Sequence, residues 1–272
     1  MNKIPIFDSL THPTLDGNWI RERYDGKNTV EEVLSEMQLH EVRWAFCVGM
    51  EGIGSYDEDQ YSPFIRSKSP NLFPVAFYSF DSKDTEESNV RARLKGILNK
   101  GYIGIKIHPR FSKISLDLLS LRTVIRVSEE LNLAVLLCTH FHASGLGESQ
   151  NDLNHVSKLL SELGDPKVIL LHGGTVRLLE MMEIVRPYSN PLLDLSYTLC
   201  KYEGSSVDLD LRYIFKTFDQ RICIGSDSPE YGLADLRKRF DFFSEGLADE
   251  KKENIAYRNL LEFVGLKEER WR

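Results

Sequence analysis

The sequence IGIKIHP, residues 103–109, is a short apolar run that ends in polar side chains. Seven similar runs rich in Val, Ile and Phe occur elsewhere, and the eight begin near Ile4, Arg43, Phe73, Ile103, Leu133, Val168, Pro191 and Arg221. Runs that are apolar almost throughout are typical of parallel strands that are buried on both faces of a sheet. The sequence therefore predicts a parallel sheet of eight strands.

Amphipathic stretches lie between these runs and predict helices over residues 29–39, 84–99, 115–131, 152–163, 175–185, 207–218, 233–243 and 251–264. The acidic stretches 57–59 and 249–253 predict solvated helix starts, where negative charge is favourable. The alternation of strands and helices predicts an α/β fold, a single (β/α)₈ TIM barrel over residues 1–272. An open doubly wound sheet is the alternative, which the lack of a GxGxxG motif after the first strand disfavours.

The composition excludes several classes of protein. The 272 residues carry a net charge of -7, which does not suit a nucleic-acid-binding surface or a polybasic membrane patch. The longest clean apolar run, Leu133–Cys138, is far shorter than the roughly 18 residues of a membrane helix. Residues 1–8 do not resemble a signal peptide. The four cysteines are far apart and are expected to be reduced thiols in a cytoplasmic protein.

Polar side chains gather where the predicted strands end. Of the seven histidines, five lie at or just beyond these ends, namely His12, His108, His140, His142 and His172. Lys106, Asp194 and Asp227 lie at such ends as well. Active sites of TIM barrels form at the C-terminal ends of the strands, so these residues are predicted to share one site. Imidazoles and carboxylates that converge are typical ligands of a catalytic divalent metal ion, which activates a bound water.

Four of these segments, residues 8–13, 104–109, 171–174 and 224–229, resemble motifs of the amidohydrolase superfamily. The resemblance is to the branch that contains aminocarboxymuconate-semialdehyde decarboxylase and pyrone-dicarboxylate lactonase. Residues 254–266, with Asn259 before an apolar turn, resemble the closing helix of that family. The resemblance spans the whole chain and implies a metal site with His-x-His on the first strand, His on the fifth and sixth, and Asp on the eighth.

This chain matches the implied metal site only in part. Leu10 stands in place of the first histidine, and Cys138 aligns best with the histidine of the fifth strand. His140 lies two residues after Cys138 and therefore shares its face of the strand. The predicted ligands of one divalent ion, with zinc expected, are His12, His140, His172 and Asp227.

Basic and aromatic residues near the same strand ends predict a carboxylated small-molecule substrate. Lys106 and Arg110 supply positive charge, and His108 lies between them. Trp19 lies in the long connection 13–28, which also carries arginines. An aromatic ring with arginines suits a planar, carboxylated ligand, and packing of Trp19 against the barrel rim is the alternative.

These observations predict a hydrolase of the amidohydrolase type that cleaves a C–O or C–N bond of a small carboxylated compound. The metal and Asp227 would activate the attacking water. The resemblance also leaves open a metal-independent lactonase with Asp227 as its base, which Leu10 favours, and a decarboxylase. A catalytically silent barrel that binds a ligand is the alternative from a different class. The sequence does not determine whether the chain forms a homo-oligomer.

Overall fold

The fold is a barrel of eight parallel strands, in a computed structural model that describes residues 3–141 and 151–266. Each strand pairs with the next in chain order. The strands are β1 (Ile6–Thr11), β2 (Val42–Val48), β3 (Leu72–Phe77), β4 (Gly104–Ile107), β5 (Ala134–Cys138), β6 (Val168–Leu171), β7 (Leu192–Asp194) and β8 (Ile222–Cys223). The predicted TIM barrel is confirmed.

The barrel closes where the residues that follow β8 run alongside β1. The Ser9 N–H donates to the Ile224 carbonyl at 3.0 Å, and the Asp227 N–H donates to the Leu10 carbonyl at 2.9 Å. The His12 N–H donates to the carbonyl of Ser228 at 2.9 Å. The open-sheet alternative is therefore wrong, because an open sheet has no such bonds between its first and last strands. Closure also places the residues around His12 beside those around Asp227.

Helices cover the outside of the barrel. They are α1 (Val30–Leu39), α2 (Glu58–Lys68), α3 (Glu87–Asn99), α4 (Pro109–Ser112), α5 (Leu119–Glu130), α6 (Leu153–Leu163), α7 (Leu178–Val185), α8 (Thr198–Lys201), α9 (Val207–Thr217), α10 (Leu233–Ser244), α11 (Asp249–Glu253) and α12 (Asn259–Phe263). The helix starts predicted at residues 57–59 and 249–253 are confirmed. Each helix in the described part of the chain is too short or too polar to span a membrane.

Asn259 attaches the last helix to the barrel. Its side-chain amide donates to the carbonyls of Asp219 and Ile222, each at 2.7 Å. Both carbonyls lie at the start of β8, so the closing helix predicted around Asn259 is held against this strand. Buried carbonyls that lack a partner are costly, and the amide of Asn259 satisfies two of them.

Candidate active site

A cavity of about 480 Å³ opens at the C-terminal ends of the strands. It is lined by the predicted metal ligands and substrate contacts, which are His12, Trp19, Lys106, His108, Arg110, His140, His172 and Asp227. Further lining residues include Arg21, Met50, Tyr197, Lys201 and Glu230. His142 lies outside the described residues. Parallel strands put their C-terminal ends on one side of the barrel, which is why residues far apart in sequence meet here.

Three residues of the cavity have left-handed backbone conformations, which are uncommon for residues other than glycine. His172 follows β6 with φ 68°, Tyr197 follows β7 with φ 63°, and Asp227 follows β8 with φ 59°. Such conformations cost free energy and persist where the surroundings hold them, most often at functional sites. The three consecutive strands β6, β7 and β8 therefore each aim one polar side chain at the cavity from a strained turn.

His12, Lys106 and Asp227 form the centre of the site. The Nδ1 atom of His12 lies 2.9 Å from the Val48 carbonyl oxygen, so Nδ1 carries the proton and donates it. The other ring nitrogen, Nε2, lies 3.0 Å from Lys106 Nζ and 3.5 Å from Asp227 Oδ1. In the neutral imidazole Nε2 has a lone pair, and Lys106 is the group that donates to it.

Burial and mutual contact determine how these groups ionise. Burial, followed by the charge of Lys106, lowers the pKa of His12, so its ring is neutral. Burial acts to raise the pKa of Asp227, but its contacts with His12, His172 and Lys106 outweigh burial and lower it. Burial lowers the pKa of Lys106, and the charge of Asp227 partly offsets this. The centre therefore combines an ionised carboxylate with a neutral imidazole.

The donors at this centre do not fit a resident divalent metal ion. The described residues include no group of three or more His, Cys, Asp or Glu side chains placed to hold one. Leu10, fully buried, has no donor atom to offer. The His12 nitrogen that would bind a metal already accepts a hydrogen bond from Lys106. The four predicted ligands line one cavity, but they do not assemble into a metal centre.

His172 is held from below by Asp194, which ends β7. Asp194 Oδ1 accepts the backbone N–H groups of His172 and Ser196, each at 3.1 Å. The His172 Nδ1 atom lies 3.2 Å from the carbonyl oxygen of Ser196. Burial lowers the pKa of His172 to about 3, which makes its ring neutral, and donation from Nδ1 leaves the Nε2 lone pair for the cavity. Asp194, predicted to share the site, is thus a positioning residue that holds the backbone of His172.

Asp8 binds Ser226, the residue immediately before Asp227. Its Oδ1 accepts the N–H groups of Leu10 at 3.1 Å and Ser226 at 2.9 Å, and its Oδ2 accepts from the Ser226 hydroxyl at 2.6 Å. Asp8 is fully buried, and burial raises its pKa to about 7 despite these bonds. The carboxyl of Asp8 is therefore neutral in mildly acidic solution, where an exposed aspartate is ionised.

The raised pKa of Asp8 predicts that its own contribution to stability is lost as the pH rises from about 4 to 7, whereas the lowered pKa of His172 contributes in the opposite direction. Between the ordinary pKa of 3.8 and the folded value of about 7, the folded chain binds the extra proton. Ionisation of Asp8 therefore lowers the free energy of unfolding by up to about 4 kcal/mol across this window. Asp8→Asn keeps an acceptor for the two N–H groups but does not ionise, so the wild type should lose stability relative to this variant as the pH rises through the window.

Urea denaturation from pH 4 to pH 8 measures this difference. Asp16→Asn is the control, because Asp16 is exposed and its hydrogen bond from Ser55 lowers its pKa. This control should retain the pH profile of the wild type. Parallel pH profiles for Asp8→Asn and the wild type would contradict the prediction.

Trp19 and Arg110 line the cavity, and each carries buried donor atoms. The Trp19 ring stacks on the His12 ring, with 5.0 Å between centroids. The Nε1 atom of Trp19 and the Nε and Nη1 atoms of Arg110 are buried without a hydrogen-bond partner in the described structure. Because buried donors without partners are costly, these N–H groups are suited to a ligand that accepts hydrogen bonds.

His108 and Cys138 contact each other below the cavity. The His108 Nδ1 atom accepts the Phe111 N–H at 3.3 Å, and Nε2 lies 3.7 Å from the Sγ of Cys138. Both ring nitrogens of His108 thus have partners within the protein, so its predicted substrate contact is limited to the ring surface. Burial raises the pKa of the Cys138 thiol, which behaves as a small buried residue. His140 packs against Tyr197 with the two rings tilted, and 5.0 Å separates the ring centroids.

Lys201 and Glu230 line the cavity but were not identified from the sequence. Lys201 ends the short helix α8, and no pattern in the sequence marks it. Glu230 follows the Asp-Ser-Pro segment 227–229, so extending that motif by one residue would have found it. Its Oε2 lies 2.9 Å from Nη1 of Arg21 and 3.6 Å from Nη2 of Arg23. These pairs attach the 13–28 connection to the end of β8 over the cavity.

Comparison with known proteins identifies the fold through solved structures. The sequence matches no family model and no curated protein. An uncharacterised TIM-barrel protein from Bordetella bronchiseptica superposes with a TM-score of 0.77 at 18% identity, covering 96% of this chain and 99% of that one. The 5-carboxyvanillate decarboxylase of Sphingomonas paucimobilis superposes with a TM-score of 0.71 at 12% identity, covering 97% and 100%.

A third solved structure has a bound metal ion. It is a dihydroxybenzoic acid decarboxylase from a Polaromonas species, with manganese and the inhibitor 2-nitroresorcinol. Its TM-score is 0.68 at 10% identity, and the match covers 97% of each chain. Identities this low establish a shared fold, and they confirm the resemblance drawn from the sequence at that level. The chain thus has the TIM-barrel fold that amidohydrolases and these decarboxylases share.

Proposed function

We propose that the chain is a hydrolase that cleaves the C–O bond of an ester or lactone in a small carboxylated compound, without a resident metal ion. The observation that carries the proposal is the buried Asp227 carboxylate, which has a lowered pKa and lies beside His12 and Lys106 in the cavity. A carboxylate at a strand end of a TIM barrel is well placed to act as a general base. We choose a C–O bond because an alkoxide leaves more readily than an amide anion when no Lewis acid assists.

Each group at the centre has a defined task in this reaction. Asp227 accepts a proton from water, and the water oxygen attacks the substrate carbonyl carbon. Lys106 donates a hydrogen bond to the carbonyl oxygen as negative charge develops there. When the C–O bond breaks, the proton on Asp227 passes to the departing oxygen. His12 orients Lys106, and the neutral ring of His172 accepts a hydrogen bond from the attacking water.

The walls of the cavity favour a small, negatively charged substrate. A volume of about 480 Å³ suits a small molecule. Arg110 lines the cavity with a guanidinium, the group that pairs best with a carboxylate, and its Nε and Nη1 atoms have no hydrogen-bond partner among the described residues. The indole N–H of Trp19 adds a third donor. The Trp19 ring also offers a stacking surface to a planar substrate, whether or not that substrate is aromatic.

The test is hydrolysis by protein that has been treated with EDTA and then desalted. A panel of carboxylated lactones and esters is compared with their neutral methyl-ester analogues by following acid release. We expect turnover of carboxylated members without added metal, with kcat/KM at least about tenfold above that of the neutral analogues. Activity that appears only after a divalent cation is added would contradict the proposal. Binding of the panel without hydrolysis would favour the ligand-binding barrel.

A further inference from the structure

His12 and Asp227 form an acceptor pair that faces a shared space. The proton of the His12 ring lies on Nδ1, where the Val48 carbonyl accepts it, so Nε2 is an acceptor. Asp227 Oδ1, also an acceptor, lies 3.5 Å away. Two acceptors at this separation require a donor or a cation beside them. A zinc ion with bonds of about 2.1 Å to each would match this separation.

Lys106 supplies that donor from the neighbouring side of the barrel. Its Nζ lies 3.0 Å from His12 Nε2, and its side chain is buried. Lys106 comes from the end of β4, whereas His12 follows β1 and Asp227 follows β8. The charge of Asp227 is the strongest of the influences that keep this ammonium protonated. The ammonium carries three N–H groups, of which His12 takes one, and the rest are available to a ligand of the cavity.

We infer that Lys106 is a built-in cation that takes the place of a metal ion and keeps divalent metals out of the site. Its N–H occupies the lone pair of His12 that a metal would need, and its charge opposes a second cation. Removal of Lys106 then uncovers a latent metal site with His12 and Asp227 as protein ligands and water as the remainder. This inference concerns metal binding and does not depend on the proposed hydrolysis.

Zinc binding to the purified full-length chain tests the inference without a substrate. Wild type, Lys106→Ala and the control Lys201→Ala are titrated with zinc chloride by calorimetry, and bound zinc is counted after desalting. Lys201 also lines the cavity, so its removal takes away a positive charge without freeing His12. We expect Lys106→Ala to bind about one equivalent at least tenfold more tightly than wild type and Lys201→Ala. The gain should disappear in Lys106→Ala/His12→Asn.

Two results would overturn the inference. One is a wild type that binds zinc as tightly as Lys106→Ala, and the other is a folded Lys106→Ala that binds no more zinc than wild type. Equal gains for Lys106→Ala and Lys201→Ala would show that general charge, rather than the bond to His12, excludes the metal. That result would also overturn the inference. A failure of the hydrolysis panel leaves all of these zinc measurements unchanged, so the two proposals fail separately.

A second variant and a spectroscopic measurement cover the case in which Lys106→Ala does not fold. Lys106→Met has a similar length and no N–H group, so it frees His12 while filling most of the space. Long-range proton–nitrogen NMR of the intact wild type reports the state of the His12 ring directly. We expect an Nδ1–H tautomer whose signals stay unchanged when zinc is added. A zinc-induced shift of the Nε2 signal in wild type would contradict the role of Lys106.

Discussion

Asp227→Asn is expected to lower kcat/KM by about 10²- to 10⁴-fold on any carboxylated ester or lactone that the wild type hydrolyses. Asparagine has nearly the size of aspartate and tolerates the left-handed backbone at this position, where φ is 59°. It is neutral, so it does not accept a proton from water. The measurement is steady-state hydrolysis, together with a denaturation curve that shows the variant to be folded.

Glu230→Gln is the matched control for this prediction. Glu230 is another carboxylate that lines the same cavity, but it pairs with Arg21 and Arg23. Its loss should affect the attachment of the 13–28 connection and lower kcat/KM by less than about tenfold, because ion pairs with exposed arginines are weak. Comparable losses in both variants would show that Asp227 has no special role as a base. Full activity in Asp227→Asn would reject the proposed mechanism.

Gly225→Ala is expected to destabilise the fold by about 3 kcal/mol or more. A Cβ atom on Gly225 would lie 2.3 Å from the Ser9 hydroxyl oxygen, 2.9 Å from Asp8 Oδ1 and 3.0 Å from the Leu10 nitrogen. These atoms belong to β1 and to the hydrogen bonds that close the barrel. The backbone and the buried side chains cannot all move aside, so closure between β1 and the end of β8 is strained. The measurement is the free energy of unfolding in urea.

Gly96→Ala provides the control for the added methyl group. Gly96 lies within α3, and a Cβ atom there would have no atom within 4 Å outside the neighbouring backbone of its own helix. Alanine is the better helix former by up to about 1 kcal/mol, so this variant should be as stable as wild type or more so. A Gly225→Ala variant within the error of wild type would mean that residues 224–228 do not pack against β1 as described.

The barrel could be predicted from the sequence because its signals are local. Each strand is a short apolar run, and each predicted start lies within two residues of the observed start. Parallel strands in a barrel bring their C-terminal ends to one side. The position of a residue in the chain therefore indicates whether it lines the cavity. This position is enough to predict His12, Lys106, His172 and Asp227 as lining residues.

The contacts between those residues could not be predicted in the same way. Alternation along a strand tells which side chains share a face, but it gives no distances between strands that are far apart in the chain. Asp8 meets Ser226, and Ser9 meets Asp194, across separations of 218 and 185 residues. These bonds depend on how β1 is staggered against β7 and β8, which no local pattern encodes.

The predicted metal site also depends on contacts between strands that are far apart in the chain. The eight-stranded barrel, the end of it that carries the polar side chains and the replacement of a histidine by Leu10 all follow from the amino-acid sequence. The contact of Lys106 with the free nitrogen of His12, at 3.0 Å and beside the Asp227 carboxylate, arises only when the barrel is folded. A lysine in a list of strand-end residues indicates only positive charge. Closure of the barrel brings that charge, from a third strand, to the nitrogen at which a metal ion would bind.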